Sequence, residues 1–233
     1  MDPLRSAWLG VVEYRAASAL QERVRAAILD GSGPESLLAL EHPPVITLGR
    51  SADPENVLFD ESALAERGVA LVQSDRGGDV TYHGPGQLVV YPVVRAPSGA
   101  AAFVGALAAA VVDVVKLLNI TAEYRCDEPG VWVGDRKLCA FGVHLHKRVA
   151  THGLALNVST ALDAFSLIVP CGLKGRGVTS LAELLGGRHP SSEELAQELL
   201  PAVARRLDRA LEPLGADEIR RLISSPPLVE CDA

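Results

Sequence analysis

The chain has 233 residues, 48% of them hydrophobic and 22% charged, with a net charge of −7. That length and composition predict one globular domain, 1–233, with a large core, and exclude low-complexity and collagen-like chains. The acidic balance argues against nucleic acid as a partner. No basic-then-apolar leader opens the sequence, and the apolar stretch 100–120 is broken by Asp113 and Lys116, which favours a buried helix over a membrane span.

Apolar spacing predicts a helix over Glu13–Leu29, closed at Asp30-Gly31. Short strands follow at Leu37–Glu41 and Val45–Leu48, around Pro43-Pro44. A helix over Ser62–Arg67 should end at Gly68. Strands are expected at Val69–Gln73, Val80–Tyr82 and Leu88–Val94, and a helix over Ala100–Leu118. Val131–Val133 and Lys137–His146 read as a hairpin turning at Gly134-Asp135. A second connection, Lys147–Thr151, leads to a strand at Leu154–Val158. A helix over Thr179–Leu185 should stop at Gly186-Gly187. Ser191-x-x-Glu194 is a capping box for a last helix, which Pro201 should kink or split. Strands often adjoin and the order is mixed, so the expected class is α+β or α/β-type, with a substantially antiparallel or mixed sheet.

The four cysteines form no C-x-x-C pair and no disulfide framework, which points to a reducing, cytoplasmic setting. Cys139 lies in a strand-like run and reads as core, Cys126 sits among charged residues, and Cys231 is near the C-terminus. Cys171 differs. It follows the apolar run Phe165–Val169 and stands between Pro170 and Gly172, a rigid and a flexible residue that would let a carbonyl approach the thiol. A small buried hydrophobe is the competing assignment. Lys137 heads the alternating face Cys139, Phe141, Val143, Leu145. It is either a strand-end lysine reaching for water or a cation placed to make thiolate from a neighbouring cysteine. In Arg76-Gly-Gly-Asp-Val-Thr-Tyr-His-Gly-Pro-Gly-Gln87, four glycines around Thr81-Tyr82-His83 imply close backbone approach, to a ligand or to another strand. Arg136, Lys147 and Arg148, with Lys174 and Arg176, make a locally basic stretch free of acids over 136–152. It is a solvated face or a dock for an acidic partner.

Three blocks together carry a resemblance: 76–87; Gly130–Val133 with Lys137–Val143; and Thr151–Asn157 through Ile168–Gly172 to Val178–Leu181. As an ordered set they resemble the octanoyl-acyl-carrier-protein:protein octanoyltransferase family, the lipoyl/octanoyl transferases. The resemblance implies an α+β (α/β-type) fold similar to biotin and lipoate protein ligase catalytic domains, a mixed β-sheet flanked by helices. It implies Cys171 as the acyl-thioester nucleophile and Lys137 as its partner. It also implies a substrate-binding wall made of Arg76, Gly77, Gly78, Asp79, Val80, Thr81, Tyr82 and His83, then Ala140, Phe141 and Gly142, then His152, Gly153, Leu154 and Ala155. His83 and His152 would lie near the reaction centre. No metal, nucleotide or other cofactor is implied. The implied donor is octanoyl-acyl carrier protein, and the acceptors are lipoyl domains of 2-oxoacid dehydrogenase E2 subunits and the glycine cleavage H protein. A lipoate–protein ligase or an octanoyl-relay amidotransferase on the same fold is the alternative.

Overall fold

A computed structural model describes residues 2–169, 177–215, 217–219 and 221. In chain order the strands are β1 (Leu4–Val11), β2 (Ser36–Glu41), β3 (Val45–Leu48), β4 (Ala70–Gln73), β5 (Val80–His83), β6 (Gln87–Val93), β7 (Glu123–Arg125), β8 (Gly130–Val133), β9 (Arg136–His146), β10 (Val149–Asn157), β11 (Gly177–Val178) and β12 (Leu211–Pro213). The helices are α1 (Tyr14–Asp30), α2 (Glu61–Glu66), α3 (Ala100–Leu117), α4 (Leu181–Leu185) and α5 (Ser192–Arg206).

The main sheet runs β12-β1-β2-β6-β10-β9-β8-β7, with β11 against β9, and a separate small sheet runs β4-β3-β5. Parallel pairs (β1 with β2 and with β12, β9 with β11) mix with antiparallel ones. One face of the main sheet is covered by α3 and α5, whose apolar residues join Leu37, Leu88, Val90 and Leu156 in the largest core. Leu107, at the centre of α3, is fully buried, a burial worth roughly 1.5–3 kcal/mol. The 18 residues of α3 are apolar enough to cross a membrane by length and composition, but here their buried stripe packs in this core. Asp113 and Arg206 join α3 to α5 on the outside, at 2.6 Å. On the opposite face α1 buries Ala17, Leu20, Val24 and Ile28 against Leu38, Leu40, Val89 and Tyr91. The small sheet packs its own core from Ile46, Leu64, Val80 and Tyr82.

Local chemistry sets the element ends. Gly31 closes α1 at φ 79°, and both halves of the capping box at Ser191 and Glu194 are made. Pro201 does not split α5. The helix continues to Arg206, held by Leu199, Leu200, Ala202 and Val203, which are all buried on the core side. β10 begins at Val149, earlier than its sequence pattern indicates, because Lys147 and Arg148 alone make the turn from β9. Both have positive φ, 47° and 64°, a geometry that normally calls for Asn-Gly. The turn is therefore strained. Replacing it by Lys147→Asn with Arg148→Gly should stabilise the protein by about 1 kcal/mol or more and raise Tm by about 2–4 °C in a thermal melt; an unchanged or lower Tm would contradict the strain.

Candidate active site

A cavity of about 650 Å³ opens between the main sheet and the small one. Its floor is the β9–β10 ladder, where Ala140 stands opposite Ala155 and Gly142 opposite Gly153. Its far wall is the 76–83 segment. That wall lies directly on the floor: a Cβ on Gly77 would sit 2.8 Å from the Val143 carbonyl, and one on Gly142 would sit 3.0 Å from the Gly77 carbonyl. These two glycines thus serve strand-to-strand approach. Arg76, Gly77, Gly78, Asp79, Thr81, His83, Lys137, Ala140, Phe141, Gly142, His152, Gly153, Leu154 and Ala155 all line the cavity. Val80 and Tyr82 do not. Strand alternation turns them into the small-sheet core, while Asp79, Thr81 and His83 face the space. Cys171 lies outside the described residues, as do Lys174, Arg176 and Cys231. Tyr14, Val89 and Tyr91 also line the cavity, and Tyr124 and Cys126 stand with them. No sequence pattern singled these out.

Lys137 marks one end. The register of β8 on β9 shifts between Val131 and Trp132, a bulge that breaks strict alternation. Lys137 therefore parts from Cys139: the lysine lines the cavity while the cysteine is fully buried in the main core. Burial pushes the Cys139 thiol well above its usual range, so it is no nucleophile. Lys137 is only 8% exposed, and its Nζ stands 4.9 Å from the Trp132 ring centre. The Trp132 indole N–H donates to the Glu128 carbonyl at 3.1 Å. Beside Lys137 the chain returns at Gly177: Val178 pairs with it, and the Thr179 N–H donates to its carbonyl at 3.0 Å. The chain leaves for residue 170 from an equally fixed point, where the Val169 N–H donates to the Asn56 carbonyl at 2.8 Å.

Around His83 and Gln87 the middle wall is a network of neutral polar groups. Gln87 Nε2 donates to Asn157 Oδ1 at 2.9 Å and to the Tyr82 carbonyl at 3.3 Å, so Gln87 Oε1 is left to accept from His83 Nδ1 at 2.7 Å. Asn157 Nδ2 passes the chain on to the Thr179 carbonyl at 3.0 Å. His83 Nδ1 thus holds the proton, and burial pushes its pKa well below the usual value, with His42 and Arg76 adding repulsion. His42 donates from Nδ1 to the Val12 carbonyl at 2.6 Å and accepts the Tyr91 hydroxyl at Nε2, 2.7 Å away. Burial lowers its pKa to about 4. Arg76 is buried and structural: it donates to Thr47 Oγ1 and to the carbonyls of Thr47, Gly77 and Asp79 at 2.7–3.1 Å. The Asp79 carboxylate accepts from the Asp53 N–H at 3.0 Å and from Asn56 Nδ2 at 2.6 Å, fixing a turn behind the wall.

The other end is His152. It stands opposite Val143, six residues along β9 from Lys137. At strand rise that is roughly 20 Å, so the two ends of the cavity are well separated and His152 is remote from Lys137. His152 has φ 58°, rare for so bulky a residue. Its Nε2 donates to Asp75 at 2.7 Å, and the same carboxylate accepts from His144 Nδ1 at 2.6 Å. His152 Nδ1 is buried with no partner among the described residues. Asp75 precedes the quoted 76–87 block, and only its position next to that block hinted at a role.

The described residues of the basic stretch do not gather in space. Arg136 is ion-paired with Glu183, and the exposed tip at Lys147 and Arg148 lies at the opposite end of β9, roughly 30 Å away. Among the described residues no three His, Cys, Asp or Glu side chains are grouped to hold a metal ion.

The family model described as the lipoyl protein ligase A/B catalytic domain matches residues 13–204. An octanoyltransferase of Chloroflexus aggregans is 46% identical over 214 residues, spanning 89% of this chain and 96% of the relative. One of Solibacter usitatus is 44% identical over 208 residues, 88% of this chain and 93% of its own length. Among solved structures, a lipoate-protein ligase A bound with ATP superposes with TM-score 0.74 at 17% identity, covering 97% of this chain and 95% of that one. The biotin protein ligase of Aquifex aeolicus gives TM-score 0.51 at 14% identity, covering 88% and 70%. At those identities the likeness is one of fold, and it matches the expected class.

The hydrogen bonds from His152 and then His144 hold the Asp75 carboxyl far below the usual carboxylate range, against the opposing effect of burial. A depressed folded-state value means that the stabilisation is fully present above the unfolded value of about 4 and is lost as pH falls below it. Asp75→Asn should therefore lower Tm at pH 7, and the gap to the wild type should shrink between pH 4 and pH 2. Melts across that range check this; a gap that stays constant would show that the carboxylate charge is not what holds the two rings.

Proposed function

The chain belongs to the lipoyl protein ligase A/B catalytic-domain family, among its octanoyltransferases, and from that premise we propose how its cavity performs octanoyl transfer for protein lipoylation. The protein is an acyltransferase. Its acyl donor is octanoyl-acyl carrier protein, and its acceptor is the lysine of a lipoyl domain, on an E2 subunit or on the H protein. The observation that carries the proposal is Lys137: a buried lysine on the wall of an apolar cavity, beside the point where the chain returns from the 170–176 segment.

Cys171, as thiolate paired with the Lys137 ammonium, attacks the carbonyl carbon of the donor thioester. The carrier sulfur leaves and takes a proton from Lys137. The acyl group is now a thioester on Cys171, and Lys137 is a neutral amine. The acceptor lysine, as free amine, attacks that carbonyl, and Lys137 removes the proton its nitrogen must shed. The amide forms, Cys171 leaves as thiolate, and Lys137 is again an ammonium. The proton count closes without an outside acid or base. The donor is already activated as a thioester, and the product amide makes the transfer downhill, so ATP has no step to drive. A reducing cytoplasm, which keeps such a thiol free, suits this chemistry. The cavity supplies a dry slot for the hydrocarbon chain.

Mixing with octanoyl carrier protein in the absence of ATP should add one octanoyl increment to the intact mass, and Cys171→Ala should abolish it. Lys137→Met should shift the pH profile of Cys171 alkylation upward and slow both half-reactions. A mass increment that survives in Cys171→Ala, or strict dependence on ATP with free octanoate as donor, would overturn the mechanism.

A further inference from the structure

An apolar slot that discriminates between acyl chains must end somewhere. Two pairs on the floor between Lys137 and His152 carry almost no side chain. Ala140 faces Ala155 and Gly142 faces Gly153, so nothing larger than a methyl group projects from these pairs. Lys137 and Gly142 are five residues apart on β9, roughly 17 Å of strand. The lysine side chain itself reaches about 6 Å, and an extended octanoyl group spans about 9 Å from carbonyl to methyl. A chain acylated beside the Lys137 ammonium and laid along this trough therefore reaches its last carbon at Gly142 and Gly153. The next obstacle is His152.

That residue is fixed by its backbone and by its ring. Its backbone is held at φ 58°, with its N–H donated to Gln21 Oε1 at 2.6 Å. Its ring is tied through Nε2 to Asp75, which a second ring, His144, also holds. Its Nδ1 is buried with no partner among the described residues. A strained, doubly anchored polar ring at the end of an apolar trough is a poor neighbour for further methylenes. They would have to displace it, or strip Asp75 of the solvent that its half-exposed carboxylate retains.

We propose that His152, positioned by Asp75, is the end-stop that sets acyl chain length; the inference rests on the transfer reaction proposed above. Transfer rates with hexanoyl, octanoyl, decanoyl and dodecanoyl carrier donors read it directly. His152→Gly takes the positive φ without strain and opens the trough, and His152→Asn, also at ease there, opens it less. The ratio of kcat/KM for decanoyl over octanoyl should rise roughly tenfold in His152→Gly and less in His152→Asn. Ala140→Val, which narrows the trough midway, should instead favour hexanoyl. Binding of free C6–C12 fatty acids, followed by displacement of a fluorescent fatty acid, should shift in the same directions and needs no acyl transfer. Wild-type protein that transfers no acyl group but shows these binding shifts would sink the proposed reaction and leave the end-stop standing. Chain-length ratios and binding preferences that stay unchanged in both His152 variants would overturn the end-stop.

Discussion

The cavity has two walls because one guanidinium ties them together. Arg76 is buried between the small sheet and the floor, and its nitrogens reach back to Thr47 on β3 and forward to the carbonyls of Gly77 and Asp79. Hydrogen bonds to a charged donor are each worth about 1.5–3 kcal/mol. Those made by Arg76 are spread over a planar fork that no lysine could match. With the loop held this way, Gly77 can lie on Val143, and the segment 76–83 becomes a wall of the cavity. The glycines permit the approach, and the arginine enforces it.

The cavity is zoned by charge. Its two ends carry ionisable groups, Lys137 at one and the Asp75 carboxylate between two imidazoles at the other. The wall between them offers His83 and Tyr91, with His42 hydrogen-bonded to Tyr91, all polar, all buried and all shifted so that the neutral form dominates around neutral pH. Hydrogen bonds within the wall, such as Tyr91 to His42 and His83 to Gln87, occupy much of its polarity. A hydrocarbon chain lying against His83 and Tyr91 would meet neutral side chains, while the Lys137 side chain stays at one end. Desolvation thus has opposite uses along the same cavity.

Much of this was legible in the sequence where local chemistry decides structure. The helix ends at Gly31, Gly68 and Gly186 follow from glycine at positive φ, and the α5 start follows from its capping box. That the segment 76–83 and the strands around 140–155 form one site came from the family resemblance; the glycines of 76–87 alone indicated only close backbone approach. What escaped was decided by partners far away in sequence. β1 pairs with β12, and neither carries a strong pattern of its own. The bulge at Val131 and Trp132, which sends Lys137 to the cavity and Cys139 to the core, is a register event invisible to alternation. Pro201 was overruled by the core beneath it. His83, His152 and Lys137 line one cavity, as the resemblance implies, and strand register adds that His152 and Lys137 stand at different ends of it.

The pairing of β1 with β12 also bears on how the chain reaches its native state. Leu4 is matched with Leu211, across almost the whole sequence. Contacts so distant along the chain slow folding, because a long loop must close before they form. During synthesis β1 can dock on β2 early, yet its other edge stays unpaired until the last strand has left the ribosome. For that interval an unpaired edge is exposed beside the hydrophobic residues of β2, a template for mispairing with other nascent chains. The sheet that floors the cavity is thus completed only when β12 joins it.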